Sequence, residues 1–245
     1  MHYILLLTQY FTRIPVRKEL EHDKASYRIA SHLLSLHGAF TALIPVAVAL
    51  IFHRLGLPPF INAVLTLSLH LGITGAYHLD GLADSLDGLF SGRSSERILE
   101  IMKDPTMGSW GTTGLVMDLG LKVYILQHLI TSGQIVFFPM IAAAGKLALA
   151  LAAHTGKKAK AISSANLFIT NVPATAVLLN FTFCLLLAWY SGVILPAAAA
   201  YALIFPITLL IVGVCRQKIG GITGDNLGFA AEAGEILLGI FLVWL

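Results

Sequence analysis

The chain has 245 residues, of which 57% are apolar and 12% charged, where soluble domains run at about 45–50% and about 25%. With a mean hydropathy of +0.81, 29 charged side chains that are also clustered cannot coat a water-soluble domain, so a soluble single domain is excluded and a polytopic membrane protein is implied. The net charge of +3 reads as cationic loops rather than as a nucleic-acid footprint, so membrane lipid is an expected partner and nucleic acid is not.

In chain order, the first 14 residues (MHYILLLTQYFTRI) are apolar but too short to cross a bilayer upright, and they predict an interfacial or partly inserted helix. Their cations follow the apolar run and no small-residue cleavage site is present, so a cleavable signal peptide is not expected. Seven spans are predicted, near 33–53, 60–78, 112–131, 135–153, 172–190, 193–213 and 229–245. Breakers divide them at Gly56 with Pro58 and Pro59, at Ser132–Gly133, at Asn171–Pro173 and at Ser191–Gly192. The fold class is thus all-α, a transmembrane bundle forming one integral membrane domain over residues 1–245, and no internal repeat suggests an inverted-repeat transporter. Cys184 and Cys215 fall in or beside spans, where they read as small packing residues.

Thirteen Lys and Arg lie in the N-terminal 32 residues and in the segments 79–111, 154–171 and 214–228, against Arg54 alone in the intervening loops. That bias places the N-terminus and the long loops on the cytoplasmic face of the cell (inner) membrane, with catalytic loops near 79–111 and 214–228.

The acids are grouped. Seven of the 13 fall between Asp80 and Asp118, three more between Asp225 and Glu235, and none between Leu119 and Gly224. In HLDGLADSLDGLFSGR, His78 to Arg93, a helix would stack Asp80, Asp84 and Asp87 on one face at i, i+4 and i+7, with Leu79, Leu82, Ala83, Leu86 and Leu89 between them. Like charges stacked at a membrane boundary, where each costs roughly 2.5–3.5 kcal/mol on insertion scales, call for a cation more than for a solvated face. Hard oxygen ligands suit Mg²⁺ held jointly with substrate phosphates. His78, beside Asp80, is a candidate substrate contact.

The next segment, SERILEIMKDPTMGSWG, reads as a short helix capped at Ser94 or Ser95 and ended by Pro105. Glu96 and Glu100 can pair with Arg93 and Arg97 as an ordinary amphipathic face. Lys103 and Asp104, at the helix end beside Gly108, Gly111 and Gly114, are better placed for phosphate and metal, and Arg93 adds positive charge. Asp118 and Lys122, at i and i+4, are expected to neutralise each other. Lys146 has no acid nearby in sequence, so it either snorkels or faces a polar cavity as a phosphate contact. In KIGGITGDNLGFAAEAGE, a Gly-rich turn with Gly224 and Asn226 could cradle an anion. A plain capped loop is the alternative, set against Asp225, Glu232 and Glu235 offering a second face of oxygen ligands at i, i+7 and i+10.

HLDGLADSLDGLFSGRSSERILEIMKDPTMGSWG, followed by GGITGDNLGFAAEAGEIL and preceded by an early FTRIPV (Phe11 to Val16), resembles the cobalamin synthase family, the adenosylcobinamide-GDP ribazoletransferases. The resemblance runs nearly end to end. It implies a polytopic Mg²⁺-dependent membrane transferase that joins adenosylcobinamide-GDP to α-ribazole, or its 5′-phosphate, and releases GMP in completing the nucleotide loop of cobalamin. Asp80, Asp84, Asp87, Lys103, Asp104 and Asp225 fall on the family's motif positions, whereas Lys146 stands where an Arg would be expected. The resemblance leaves room for a homo-oligomer or for association with other cobalamin-assembly enzymes.

Displacing GMP at an already anionic phosphorus is mostly positioning and charge neutralisation. The expected catalytic residues are Asp84, Lys103 and Asp104. The expected metal ligands are Asp80, Asp84, Asp87, Asp225 and Glu232, and the expected substrate contacts are His78, Arg93, Lys146, Gly224 and Asn226. Two rivals are a CDP-alcohol phosphatidyltransferase-like enzyme and a divalent-cation transporter. The first expects DGxxAR, but Asp84 follows Ala83 here; the second expects acids at mid-span rather than at helix ends.

Overall fold

The computed structural model describes residues 2–159 and 167–244, so Lys160, counted above among the cytoplasmic cations, lies outside the described residues. Described elements are helices: α1 (His2–Phe11), α2 (Lys24–Ala30), α3 (Leu34–Arg54), α4 (Pro59–Thr74), α5 (Tyr77–Leu89), α6 (Ser95–Ile101), α7 (Ser109–Thr131), α8 (Phe138–Thr155), α9 (Ala174–Tyr190), α10 (Ile194–Ile219) and α11 (Gly224–Val243). An isolated parallel bridge joins Lys158 to Ile222.

Local chemistry explains many of the ends. Asp23 accepts the Ser26 N–H at 2.7 Å to start α2, Pro59 occupies the first turn of α4, and Thr223 with Asn226 forms a capping box on α11. Gly56, Gly133 and Gly192 take positive φ at the breaks where turns are predicted.

The bundle is built around α8, whose residues Phe138 and Met140–Ala153 are all buried. Small residues let its neighbours approach backbone to backbone, as in other membrane helix pairs. A Cβ at Gly38 of α3 would stand 2.6 Å from the Ala142 carbonyl oxygen, and one at Gly234 of α11 would stand 2.8 Å from the Ala148 Cβ. The outer surface is apolar: Phe40, Ile44 and Ile51 of α3, Val116 and Met117 of α7, Leu178 and Leu186 of α9, and Leu195 and Leu210 of α10 are exposed. Such a surface belongs in hydrocarbon. The chain is a polytopic helical membrane protein. The first segment is helical as predicted, with Leu6, Leu7 and Phe11 of α1 buried in the core.

Helices occupy all seven predicted segments, and length and apolarity qualify four runs among the described residues, Lys24–Arg54, Ile135–Thr155, Ile194–Ile219 and Gly224–Val243, or five if the bent pair Pro59–Thr74 with Tyr77–Leu89 is one span. At 17 residues, α9 reaches about 25 Å, short of a hydrocarbon core of about 30 Å. The predicted span 60–78 requires correction. It breaks after Thr74, because Gly75 (φ 72) and Ala76 (φ 56) are both left-handed, and α5 leaves α4 at 89°. We read α4 as the membrane-embedded part and the acidic α5 as lying outside it. The predicted catalytic loop 79–111 is therefore largely helical, containing the rest of α5, all of α6 and the start of α7.

Gly81 is where α5 meets α11: a Cβ there would lie 2.6 Å from the Asp225 carbonyl oxygen. Gly81→Val is expected to destabilise the detergent-solubilised protein by about 1–3 kcal/mol, read as a lower thermal midpoint. Gly120→Ala, where nothing stands within 4 Å, is expected to leave that midpoint unchanged or raise it.

Candidate active site

The α5–α11 crossing is tight on both sides. Besides the Gly81 contact, a Cβ at Gly228 would lie 3.0 Å from the His78 carbonyl oxygen. Asn226 fastens the same junction: its Nδ2 donates to Ser85 Oγ at 2.9 Å while its Oδ1 accepts the Thr223 N–H at 2.9 Å. The crossing brings the first acidic group, on α5, to Asp225 at the start of α11. Asp80 and Asp225 line one cleft of about 370 Å³ together with His78 and Gly224.

Asp84, half-buried one turn beyond Asp80 on α5, is held well above the ordinary carboxylate range, at about 7. Burial is the first cause, followed by the charges of Asp80, Asp225 and Asp87. Asp87 is spoken for differently. Its Oδ2 accepts the Gly108 N–H at 2.7 Å and its Oδ1 the Gly111 N–H at 2.8 Å, so it caps α7 from a neighbouring helix. Side chains at those two glycines would collide with the carboxylate, since a Cβ would stand 2.4 and 2.3 Å from its oxygens.

Among the described residues, no three His, Cys, Asp or Glu side chains are arranged as they stand to hold a metal ion. The donor set nonetheless fits Mg²⁺, which takes one or two carboxylates, several waters and substrate phosphates rather than an all-protein cage. Asp84 is raised first by burial and then by repulsion from its neighbours, and a divalent cation would relieve the second of these.

Deeper in the bundle, Lys122 is surrounded by Asp118 at 3.3 Å, Glu235 at 2.8 Å and Glu232 in a short contact, all buried. The predicted Asp118–Lys122 pair is present, inside a larger network. Glu232 meets the Lys122 ammonium there. Lys146 does not snorkel: its ammonium is 3.1 Å from His78 Nε2 and 3.5 Å from the centre of the Phe11 ring. A void of about 20 Å³, room for about one water, is lined by Lys122, Lys146, Glu232, Glu235 and His78. His78 also lines the cleft, so it links the buried charges to the acidic face.

Three predicted residues stand elsewhere. Lys103 is exposed and lines a separate groove with Glu96, Glu100 and Lys158. Asp104 is exposed and accepts the Thr106 N–H at 2.8 Å, which holds its carboxyl below the usual range. It shares a shallow depression with Asp87. Arg93 is exposed, in the turn after α5. Sequence reasoning missed the aromatic lining that shares the cleft with Asp80 and Asp225, which Tyr10, Phe11 and Phe168 supply. The FTRIPV motif flagged Phe11 without its role, and nothing local marks Phe168.

The family described as Cobalamin-5-phosphate synthase matches residues 3–243. The chain is 37% identical over 242 residues to an adenosylcobinamide-GDP ribazoletransferase of Clostridium botulinum (strain Okra / Type B1), covering 98% of this chain and 96% of that one. It is 33% identical over 241 residues to the Clostridium tetani protein of the same name (95% and 92% covered), and 31% identical over 258 residues to that of Treponema denticola (95% and 94%). No solved structure matches.

Removing the central cation of the buried network leaves three carboxylates without it. Lys122→Met is expected to cost about 3–5 kcal/mol, read as a large fall in thermal midpoint. Glu235→Gln, which leaves Lys122 with two anionic neighbours, is expected to cost clearly less.

Proposed function

This chain belongs to the cobalamin-5-phosphate synthase family, and on that premise we propose how its residues carry out the transfer named for its relatives, adenosylcobinamide-GDP with α-ribazole giving the nucleotide-loop product and GMP. The observation that carries the reading is the meeting of Asp80, Asp84 and Asp225 across the Gly81 contact, 141 positions apart in sequence between Asp84 and Asp225. The family match leaves neither a CDP-alcohol transferase nor a cation transporter with comparable support.

Asp80, Asp84 and Asp225 would hold Mg²⁺, with Asp87 contributing charge while it caps α7. The ion supplies neutralisation of the diphosphate and of the departing GMP. The chain's own groups do the rest. A carboxylate of this set accepts the proton of the ribazole hydroxyl as oxygen attacks phosphorus. Lys146, held under Phe11 and against His78, places positive charge behind the cleft, and Gly224 permits close approach of an anion to the α11 N-terminus. Lys103 and Arg93, exposed, would meet the nucleotide end of the donor, and Asp104 holds the turn that carries Lys103. Glu232 stands about two turns beyond Asp225, and its assignment to the metal set is weaker than its contact with Lys122. The cation bias of the loops supports a cytoplasmic orientation for this face, in the cell (inner) membrane.

Purified protein given adenosylcobinamide-GDP and α-ribazole should release GMP with Mg²⁺ and not in the presence of EDTA. Asp84→Asn should insert normally and retain less than about a tenth of the activity; more than that would count against its metal role. Folded Asp84 keeps its proton up to about 7, whereas the ordinary value is 3.8. Raising pH through that window therefore costs the folded chain stability, and a divalent cation that replaces the proton restores it. Mg²⁺ should raise the thermal midpoint at about pH 8 and hardly at about pH 5.5. An equal shift at both would oppose the assignment.

A further inference from the structure

We propose that the aromatic wall of the cleft, formed by Tyr10, Phe11, Tyr77 and Phe168, seats the planar heteroaromatic base of the acceptor nucleoside. The proposal rests on the transfer reading above and deepens it by dividing the cleft between the parts of one substrate. The cleft has two kinds of lining, acidic at Asp80 and Asp225 and aromatic at Tyr10, Phe11, Tyr77 and Phe168. The attacking hydroxyl belongs to a ribose, and the base is attached to that same ribose. A hydroxyl aligned over the carboxylates therefore puts its base within one sugar of them, inside the same cleft. The volume of about 370 Å³ lies at the lower end of small-molecule sites, which run about 300–1,000 Å³. That accommodates a nucleoside and a diphosphate, while a corrin macrocycle has to remain outside.

The wall is rigid. Tyr10 meets Phe168 edge to face at 5.2 Å and Phe11 edge to face at 4.8 Å, while Phe11 and Phe168 lie tilted to each other at 5.5 Å. Phe11 and Phe168 are buried as the floor, Tyr10 is half-buried, and Tyr77 is exposed at the rim. Two cations brace it: Lys146 lies over the Phe11 ring and the Arg13 guanidinium stands 4.9 Å from the centre of the Tyr77 ring.

The chemistry favours a benzimidazole-type ring over guanine. A benzo ring edged by C–H groups loses nothing against phenyl and phenol rings. Guanine would bring two N–H donor groups and a carbonyl oxygen, which such a wall leaves largely unmatched and which are costly to bury unpaired.

Full-length protein in detergent, with both substrates and Mg²⁺, tests this by the separate KM values. Tyr10→Leu is expected to raise the KM for α-ribazole about tenfold, on the scale of base stacking on an aromatic side chain, with the KM for adenosylcobinamide-GDP unchanged and Tyr10→Phe restoring the wild-type value. Wild type should also prefer α-ribazole to a riboside of plain imidazole, and Tyr10→Leu should narrow that preference. Should Tyr10→Leu fail to fold, Tyr77→Leu at the exposed rim carries the same comparison. Unchanged KM values for both substrates overturn the seat, and so does a rise confined to adenosylcobinamide-GDP, which would place guanine there. Absence of GMP release by wild type would instead overturn the transfer reading itself.

Discussion

A helix bearing three carboxylates can be held against the end of another bearing a fourth only if their backbones touch, and Gly81 and Gly228 permit that contact between α5 and α11. Any side chain at Gly81 would strike the Asp225 carbonyl oxygen, so the separation of the acidic groups is set by the backbone rather than by rotamers. The rest of the site is arranged around the junction. Asn226 and Ser85 pin it laterally, and Asp87, one turn beyond Asp84 on α5, draws in the N-terminus of α7. The strain of gathering carboxylates then falls mainly on Asp84, which the others and its own burial keep protonated up to about 7.

The second charge group obeys a different rule. Around Lys122 three buried carboxylates share one ammonium from the chain, which answers part of the cost of burying them. Around Asp84 the anions meet no cation among the contacts described. One cluster has a cation from the chain, and the other is left to receive one from what binds. His78, touching Lys146 on one side and the cleft on the other, stands between them.

Much of this was legible because charge placement in an apolar chain carries a heavy penalty and is therefore informative. The helix stacking of Asp80, Asp84 and Asp87 could be read from spacing, and so could the pairing of Asp118 with Lys122. Other features needed the fold. The bend after Thr74 rests on a left-handed Ala76, and alanine carries no such signal. Asp87 as the cap of α7 depends on glycines more than 20 residues away. Spacing alone groups Glu232 with Asp225, because seven residues return to the same helix face. Seven residues also advance about 10 Å along the axis, far enough to carry Glu232 past the cleft and into the charges around Lys122.

The asymmetry of the cleft follows from where its walls originate. The acidic wall comes from α5 and α11, whose backbones are locked together. The aromatic lining comes mostly from α1 and from Phe168, which follows the undescribed residues 160–166, with Tyr77 added from the start of α5, and ring contacts join Phe168 to Tyr10 and Phe11. Transfer to phosphorus demands fixed charge, since misplacing a carboxylate by about 1 Å can cost on the order of a hundredfold in rate. A flat base needs only a flat surface, and stacking tolerates lateral adjustment. A backbone-locked charged wall beside a side-chain-packed aromatic one therefore divides precision and adaptability in the way a two-substrate reaction requires.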